Sequence, residues 1–255
     1  MQNNPGSTDT ILASIIIITK NQKELLQKSL PVLLEQNIKG KYEIIVVDSG
    51  STDGAREYVE PLPIKLVKIQ PQNFKFAKAF NFGANNAKGE FLIRLSGDVL
   101  PIRKDFLKEM IKYFEDKKVG GTYGKYTQTG RKGYSYPNFW PPERFPNKTI
   151  RFNIKPNLIK VIFGNKSYVD VLTSFAGGCC AIRKDIWKAR PFNENLLGGE
   201  DAEYAAYLHL KGWDIVYNPE AEAIHEHKIE NLNAGLWGEL SWKIISSIEF
   251  LKLFL

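Results

Sequence analysis

Short apolar runs recur along the first half of the chain and predict the strands of a sheet. Residues 11–18 and 42–47 are apolar and largely β-branched, and residues 64–69 and 90–95 repeat the pattern. Continuous apolar runs of this length are typical of strands buried on both faces. We therefore predict four strands here, with the first at the centre of the sheet, and a fifth over residues 119–123.

Amphipathic stretches between these runs predict helices. Leucines in residues 22–36 recur on one helical face, and Pro31 should kink or shorten that helix. Residues 76–87 and 104–117 show the same periodicity, and a short helix begins at Ala55. Four successive β-then-α units indicate an α/β fold, a doubly wound sheet with helices on both faces.

The rhythm breaks in residues 125–172, which are rich in Tyr, Pro, Lys and Arg and predict an irregular excursion that could form a lid. Regular patterning returns with a segment at 174–183, a helix at 200–211 and a strand at 214–217. We expect one domain over residues 11–230, preceded by a disordered tail over residues 1–10.

The last stretch predicts an amphipathic helix over residues 231–255. Its broad apolar face, mixed with aromatic and basic residues in 233–255, is typical of a helix on a membrane surface and equally of one packed on its own domain. The sequence has no run of about 18 uncharged apolar residues, so it predicts no clear membrane span. The polar N-terminus lacks the pattern of a signal peptide, which favours a cytoplasmic location.

Composition narrows the function classes. The 255 residues are 43% hydrophobic and 25% charged, a globular balance, and the net charge of +7 favours anionic partners such as nucleotides or phosphates. No G-x-G-x-x-G follows the first strand and no P-loop occurs, which weighs against dinucleotide oxidoreductases and P-loop NTPases. The only cysteines, Cys179 and Cys180, are adjacent and predict buried, inert thiols.

Polar residues at the predicted strand ends are the first candidates for chemistry. Asn21, Asp48 and Asp98 each follow an apolar run, and the carboxyl ends of strands in such a sheet form the ligand-binding edge. Asp48 can accept hydrogen bonds from a nucleobase or ribose, or cap the next helix. Asp98 can offer an oxygen to Mg²⁺ or Mn²⁺ facing bound phosphates, or serve only as a turn residue.

Two further clusters lie late in the chain. Glu200 and Asp201 open a predicted helix, where the helix dipole favours ionised carboxylates, so either could act as a general base or simply as a capping charge. His225 and His227 alternate on a predicted strand and share one face. They could bind a metal or a phosphate, and the alternative is an exposed pair.

The order of these pieces resembles the family 2 glycosyltransferases of GT-A fold. The segments that carry the resemblance are Thr19-Lys20-Asn21, Val46-Val47-Asp48-Ser49-Gly50-Ser51-Thr52-Asp53-Gly54, Phe80-Asn81-Phe82-Gly83-Ala84, Leu95-Ser96-Gly97-Asp98 and Gly199-Glu200-Asp201. They span about residues 12–227. The resemblance implies a Rossmann-like mixed sheet and an inverting, non-processive enzyme that uses a nucleotide-diphosphate sugar.

The resemblance also implies site residues. Asp201 is implied as the catalytic base with Glu200 beside it, and Asp98 as the last aspartate of a D-x-D motif that holds Mn²⁺ or Mg²⁺, helped by His225 or His227. Asp48 is implied to contact the base or ribose, and Asp53 to support the same pocket. The full donor set is Thr19, Asn21, Asp48, Asp53, Lys78, Asn81, Ser96 and Gly97, and the acceptor set is Gly177, Gly178 and Gly199.

Three features qualify the resemblance. Ser96 stands where the first Asp of D-x-D is common, which predicts weaker or dispensable metal binding. No Q-x-x-R-W follows Asp201, which argues against a processive synthase. Residues 74–81 look like the corresponding segment of rhamnosyltransferases.

The expected partners are a UDP, dTDP or GDP sugar and a glycan or lipid-linked saccharide acceptor of cell-surface polysaccharide synthesis. Nucleic acid is not expected as a partner. Peripheral contact with a membrane through residues 233–255 is expected. The alternative function is a catalytically inactive module of the same fold that binds nucleotide or glycan.

Overall fold

The computed structural model describes residues 10–128, 146–163, 166–226 and 252–254. The predicted N-terminal tail, apart from its last residue, lies outside the described residues, as do His227 and most of the predicted C-terminal helix. Residues 252–254 form a short 3₁₀ turn. The domain boundaries therefore stay predictions.

A mixed sheet organises the molecule. It runs in the order β3-β2-β1-β4-β8-β6-β9-β5, and β7 pairs with β9. The strands are β1 Ile11–Thr19, β2 Lys41–Asp48, β3 Lys65–Lys68, β4 Phe91–Ser96, β5 Val99–Pro101, β6 Val119–Gln128, β7 Ile150–Phe152, β8 Cys179–Arg183 and β9 Asp214–His225. Strands β3, β2, β1 and β4 are mutually parallel, whereas β8 runs antiparallel to both β4 and β6.

Eight α-helices accompany the sheet in the described part of the chain. They are α1 Lys23–Leu34, α2 Ala55–Val59, α3 Phe76–Asn85, α4 Phe106–Ile111, α5 Leu158–Phe163, α6 Lys166–Leu172, α7 Lys184–Ala189 and α8 Glu200–Leu210. Alternate residues of β1 point to two separate cores. Ile15 and Ile17 pack with Leu26 and Met110 on one face, whereas Ile16 and Ile18 pack with Phe80 of α3 on the other. Helices therefore cover both faces, as predicted.

Several element predictions need correction. β1 is an interior strand but not the central one, because β8, β6, β9 and β5 extend the sheet beyond β4. α1 continues through Pro31, which lies on the exposed side of the helix, where water can satisfy the carbonyl that loses its partner. Within the segment at 174–183, where regular patterning was predicted to return, the strand is confined to β8, because residues 176–179 form a turn with a Cys179 N–H to Ala176 O bond of 2.8 Å.

Parts of the predicted irregular excursion are regular. β6 continues to Gln128, and β7, α5 and α6 all fall within residues 125–172. The strand predicted at 214–217 continues as β9 to His225. The helix predicted at 104–117 is α4 followed by a 3₁₀ turn at Lys112–Glu115.

Both cysteines are buried and free, as predicted. Burial raises the pKa of the Cys179 thiol to about 12 and that of Cys180 as well. Thiols held neutral in this way are poor nucleophiles.

Candidate active site

The loops after β1 and β4 meet at the carboxyl edge of the sheet. The Thr19 hydroxyl donates to Gln22 Oε1 at 3.0 Å, and the Gly97 N–H donates to Ile18 O at 2.8 Å. A Cβ on Gly97 would lie 2.8 Å from Thr19 Oγ1, so this position has no room for a side chain. The structure thus brings Thr19, Ser96 and Gly97 to one edge.

Asp48 organises the loop between β2 and α2. Its carboxylate is 1% exposed and accepts the N–H groups of Gly50 and Ser51 at 3.1 and 3.2 Å, and Arg56 Nε at 2.5 Å. Burial opposes ionisation, but the hydrogen bonds from Ser51, Arg56 and Gly50 outweigh it and hold the pKa of Asp48 below its ordinary value. The structure therefore shows a loop-organising role for Asp48, and direct contact with a nucleobase stays a prediction.

Asn21 and Asp53 connect this loop to the start of α1. Asn21 has a φ of +52°, its N–H donates to Ser51 Oγ at 2.9 Å, and its Oδ1 accepts the Thr52 N–H at 2.8 Å. Asp53 accepts the Lys23 N–H at 2.8 Å and the Ala55 N–H at 3.1 Å. Two loops of the predicted donor pocket are thereby held against each other without a ligand.

Asn81 is buried, and its side-chain hydrogen bonds are made within the protein. It is 4% exposed, and its amide nitrogen donates to Phe192 O and Glu194 Oε1 at 2.8 and 3.0 Å. Its Oδ1 accepts the Trp187 indole N–H and the Phe192 N–H. These four bonds use the whole capacity of the amide, so the structure gives Asn81 an anchoring role in place of the predicted donor contact. Lys78, one turn earlier on α3, is exposed.

Asp201 lies in the first turn of α8, behind the left-handed Gly199 (φ +70°). Its Oδ2 accepts the Gly177 N–H and its Oδ1 accepts the Ala202 N–H, both at 2.9 Å. A Cβ on Gly177 would lie 2.8 Å from the Asp201 side chain. The predicted base and the predicted acceptor backbone are therefore in direct contact.

The pKa of Asp201 is raised, although the helix dipole by itself favours the ionised form. Burial raises the pKa of Asp201, the neighbouring Glu200 adds to this, and Arg94 and the two backbone N–H groups oppose it. A raised pKa makes the carboxylate a stronger base once it is ionised.

Glu200 points into the core and pairs with Arg94, which does not fit its predicted place among the catalytic residues. It is 4% exposed and accepts Arg94 Nη2 at 2.5 Å, inside the core between β4 and α8. Consecutive helical residues point about 100° apart, so Glu200 and Asp201 cannot both face the same side. A group held by a buried arginine is not available to a substrate.

A continuous series of contacts joins Asp201 to the predicted metal ligands. Gly177, which holds Asp201, precedes Gly178, where a Cβ would lie 2.5 Å from the Tyr126 hydroxyl and 3.0 Å from Ser96 Oγ. The Tyr126 ring packs on the His225 ring with centroids 5.0 Å apart. His225 Nε2 lies 3.5 Å from Asp98 Oδ2.

Asp98 and His225 could hold a cation whose remaining ligands come from a bound substrate and water. They offer one oxygen and one nitrogen, both suitable for Mn²⁺. Over residues 10–128, 146–163, 166–226 and 252–254, no group of three or more His, Cys, Asp or Glu side chains could hold a metal. Two protein ligands suit an ion that completes its coordination with phosphate oxygens and water.

Sequence reasoning missed Arg94, Tyr126 and Arg56. Arg94 had a signal, because it is the one charge inside the apolar run of β4. Tyr126 had none, since it lies in a segment without periodicity and becomes relevant only through contacts with β8 and β9.

The fold is that of the GT-A glycosyltransferases. TarS residues 1–349 from S. aureus, solved with UDP, superpose with a TM-score of 0.67 at 19% identity, covering 94% of this chain and 65% of that one. The mannosyltransferase PcManGT from Pyrobaculum calidifontis, solved with GDP-Man and Mn²⁺, gives 0.61 at 20% identity, covering 97% and 64%. These likenesses confirm the predicted fold class.

The family follows from the sequence match. The model for glycosyl transferase family 2 matches residues 14–187, more than half of the chain, so the chain belongs to that family. The family prediction is confirmed. The matched stretch ends before α8, so the assignment of Asp201 rests on the geometry above and on the motif.

Two curated relatives carry names that refer to the O-antigen. The O-antigen chain rhamnosyltransferase WbaN of Salmonella anatum is 25% identical over 193 residues, covering 72% of this chain and 56% of WbaN. The O-antigen biosynthesis protein RfbC of Myxococcus xanthus is 24% identical over 230 residues, covering 83% of this chain and 17% of RfbC. The chain thus spans about half of one relative and a sixth of the other. None of the helices described here has the length and apolar character that a membrane crossing requires.

Proposed function

We propose that this chain is the catalytic domain of an inverting, non-processive glycosyltransferase. It moves a sugar from a UDP, dTDP or GDP donor to a hydroxyl of a glycan or lipid-linked saccharide in cell-surface polysaccharide synthesis. The observation that carries the proposal is the series of contacts from Asp201 through Gly177, Gly178 and Tyr126 to the Asp98–His225 pair. The polysaccharide-related names of WbaN and RfbC support the acceptor class.

Asp201 supplies the base. An acceptor hydroxyl beside the Gly177 and Gly178 backbone transfers its proton to the Asp201 carboxylate as its oxygen attacks the anomeric carbon. The bond from that carbon to the diphosphate oxygen breaks on the opposite face, and its electron pair leaves with the nucleoside diphosphate. The configuration at the anomeric carbon is thereby inverted.

Asp98 and His225 serve the leaving group. A divalent cation bound there would neutralise the negative charge on the departing diphosphate. The chain itself holds the two ligands in place, since the Tyr126 ring packs on His225 and the Glu226 N–H donates to Asp98 O at 2.9 Å. Ser96 supplies a hydroxyl where an aspartate is common, so the cation would gain no second carboxylate ligand from this turn.

The membrane and acceptor assignments rest on sequence. Residues 233–255, proposed to lie on the cytoplasmic membrane surface, are outside the described residues except for a short turn. The aromatic excursion at 125–172 is proposed to shape the acceptor site, and residues 74–81 point to a rhamnose-type donor. Pelleting of the chain with anionic liposomes, lost on deleting 233–255, tests the membrane contact.

Replacing Asp201 by Asn tests the catalytic assignment. Transfer should fall about 10²- to 10⁴-fold, the usual contribution of a general base, while nucleotide binding changes little. Asp185→Asn is a matched control, because Asp185 occupies the same position in α7 and likewise accepts the next N–H, from Ile186 at 2.8 Å, on an exposed surface. Transfer that survives in Asp201→Asn removes this residue from the role.

Calorimetric titration with UDP, dTDP, GDP and CMP, each with and without Mn²⁺, identifies the donor. One diphosphate should bind, and more tightly with Mn²⁺. Donor binding without turnover in the unaltered chain would favour the inactive binding module, for which Ser96 is the sequence support.

A further inference from the structure

We propose that the buried Arg94–Glu200 pair is a positioning device for Asp201, which fixes both the direction and the charge environment of the catalytic carboxylate. The inference rests on the proposed function, since it requires Asp201 to be the general base. Neither Arg94 nor Glu200 touches the substrate in this proposal.

Arg94 is a cation deep in the core. It lies in β4 opposite Ile16 of β1 and Cys180 of β8, and its side chain is 3% exposed. Its guanidinium lies 5.8 Å from the Phe80 ring centroid and 5.5 Å from that of Phe192. Among the described residues, Nη2 alone has a partner, Glu200, and the buried Nε and Nη1 have none.

Such a pair is a poor choice for stability alone. Burying two charges and leaving two guanidinium nitrogens without acceptors costs free energy, and apolar residues of similar volume often serve as well or better. The pair lies directly behind the first turn of α8, where Asp201 follows Glu200. A functional demand on that turn explains why a charged pair is kept there.

The pair holds the helix end in one orientation. Glu200 is drawn toward β4 by Arg94, and Asp201, about 100° further round the helix, is thereby aimed at the Gly177 N–H. Without this anchor the first turn could rotate, and the carboxylate would leave the acceptor backbone. A misplacement of about 1 Å can reduce turnover by about a hundredfold.

The pair also sets the charge around Asp201. The groups facing Asp201 are Glu200 on its own helix, Arg94 from β4, Cys180 from β8 and Tyr126 from β6. Burial raises the pKa values of Cys180 and Tyr126, so both stay neutral. Among the described residues, Glu200 and Arg94 are therefore the two main charges that act on Asp201, with opposite signs.

The test is the pH dependence of kcat/KM in variants of the full chain. The base must be ionised, so activity rises as pH passes its pKa. Arg94→Met leaves Glu200 uncompensated and should move this acid limb up by about one pH unit, whereas Glu200→Gln removes the negative charge and should move it down. The double variant, Arg94→Met with Glu200→Gln, should return the limb toward that of the parent protein.

Arg190→Met is the matched control. Arg190 pairs with the buried Glu203 one turn further along α8 and stacks on Tyr207 at 4.6 Å. Its loss should lower the thermal unfolding midpoint without moving the acid limb. This separates damage to α8 in general from damage to the charge behind Asp201.

Opposite limb shifts in the two single variants support the inference. Limbs that stay in place, with losses of activity that follow stability as in Arg190→Met, would overturn it and leave the pair a structural one. If Arg94→Met does not fold, the downward shift in Glu200→Gln decides alone. Transfer retained in Asp201→Asn would overturn the proposed function itself, a result distinct from unmoved limbs with Asp201→Asn inactive.

Discussion

His209 shows at the scale of one residue how burial links protonation to stability. It lies in α8, its Nδ1 is 3.2 Å from Trp213 O, and its Nε2 has no partner among the described residues. Burial lowers its pKa from 6.5 to about 4, although the Trp213 carbonyl and Asp214 oppose this. The folded protein therefore keeps the ring neutral where the unfolded chain would protonate it.

Stability should consequently fall on acidification. The unfolded chain binds the extra proton between pH 6.5 and pH 4, so the contribution of His209 is complete at neutral pH and lost through that window. Between pH 7 and pH 5 the loss is about 2 kcal/mol. Urea unfolding at both pH values checks this, and His209→Asn should show a smaller loss. An equal loss in that variant would assign the effect to other groups.

At the scale of secondary-structure elements, the contact between the turn that precedes β8 and strand β6 shapes the candidate site. Gly178 immediately precedes β8, and Tyr126 lies on β6. The Tyr126 hydroxyl fills the space that a Cβ at position 178 would need. Ser96 N donates to Gly178 O at 3.0 Å, so the end of β4 is fixed against the same turn. Three strands thus define the rim between Asp201 and Asp98.

Gly178→Ala should lower the unfolding midpoint and reduce transfer about tenfold, because overpacking of this kind costs about 1–3 kcal/mol. Adding Tyr126→Phe should restore much of both, since the hydroxyl is the nearest obstacle at 2.5 Å. Thermal unfolding and initial transfer rates measure the rescue. Gly177→Ala is the comparison: its Cβ would meet Asp201, so Tyr126→Phe should not rescue it, and rescue there would contradict this geometry.

Elements with strong local periodicity could be predicted, and elements held by distant pairing could not. β1, β2, β4, α1, α3 and α8 were within a few residues of their observed bounds because each carries its own apolar stripe. β5 and β7 have three residues each and exist through pairing with β9. The direction of β8 likewise depends on β4 and β6 rather than on its own sequence.

The same division applies to the site. Asp48, Asp98, Asp201 and the acceptor glycines were predicted through motifs, and their roles stay predictions. The hydrogen bonds that anchor Asn81 and the inward direction of the Glu200 side chain were not predicted, because they depend on distant partners, Phe192 and Arg94. A motif marks a position but does not state which way its side chain points.

At the scale of the whole molecule, ligand binding should raise the free energy of unfolding. A ligand at a hundred times its Kd stabilises the folded state by about 2.7 kcal/mol. The cognate nucleotide should raise the unfolding midpoint, Mn²⁺ should add to that rise, and EDTA should remove the added part. Thermal scans with each ligand measure this.

Asp98→Ala should lose the part of the rise that needs Mn²⁺. Asp105→Ala is the control, since Asp105 is a surface aspartate paired with Arg103 away from the site. A manganese-dependent rise that persists in Asp98→Ala would place the cation elsewhere.

The pairing of β5 with β9 also governs the order in which the site is assembled. Val99, next to Asp98, pairs with His225, although more than a hundred residues separate them. Closing so long a loop is entropically costly, and pairings of this kind form late. On a nascent chain that leaves the ribosome from its N-terminus, the proposed Asp98–His225 cation site would therefore form only after β9 has been synthesised and has paired with β5.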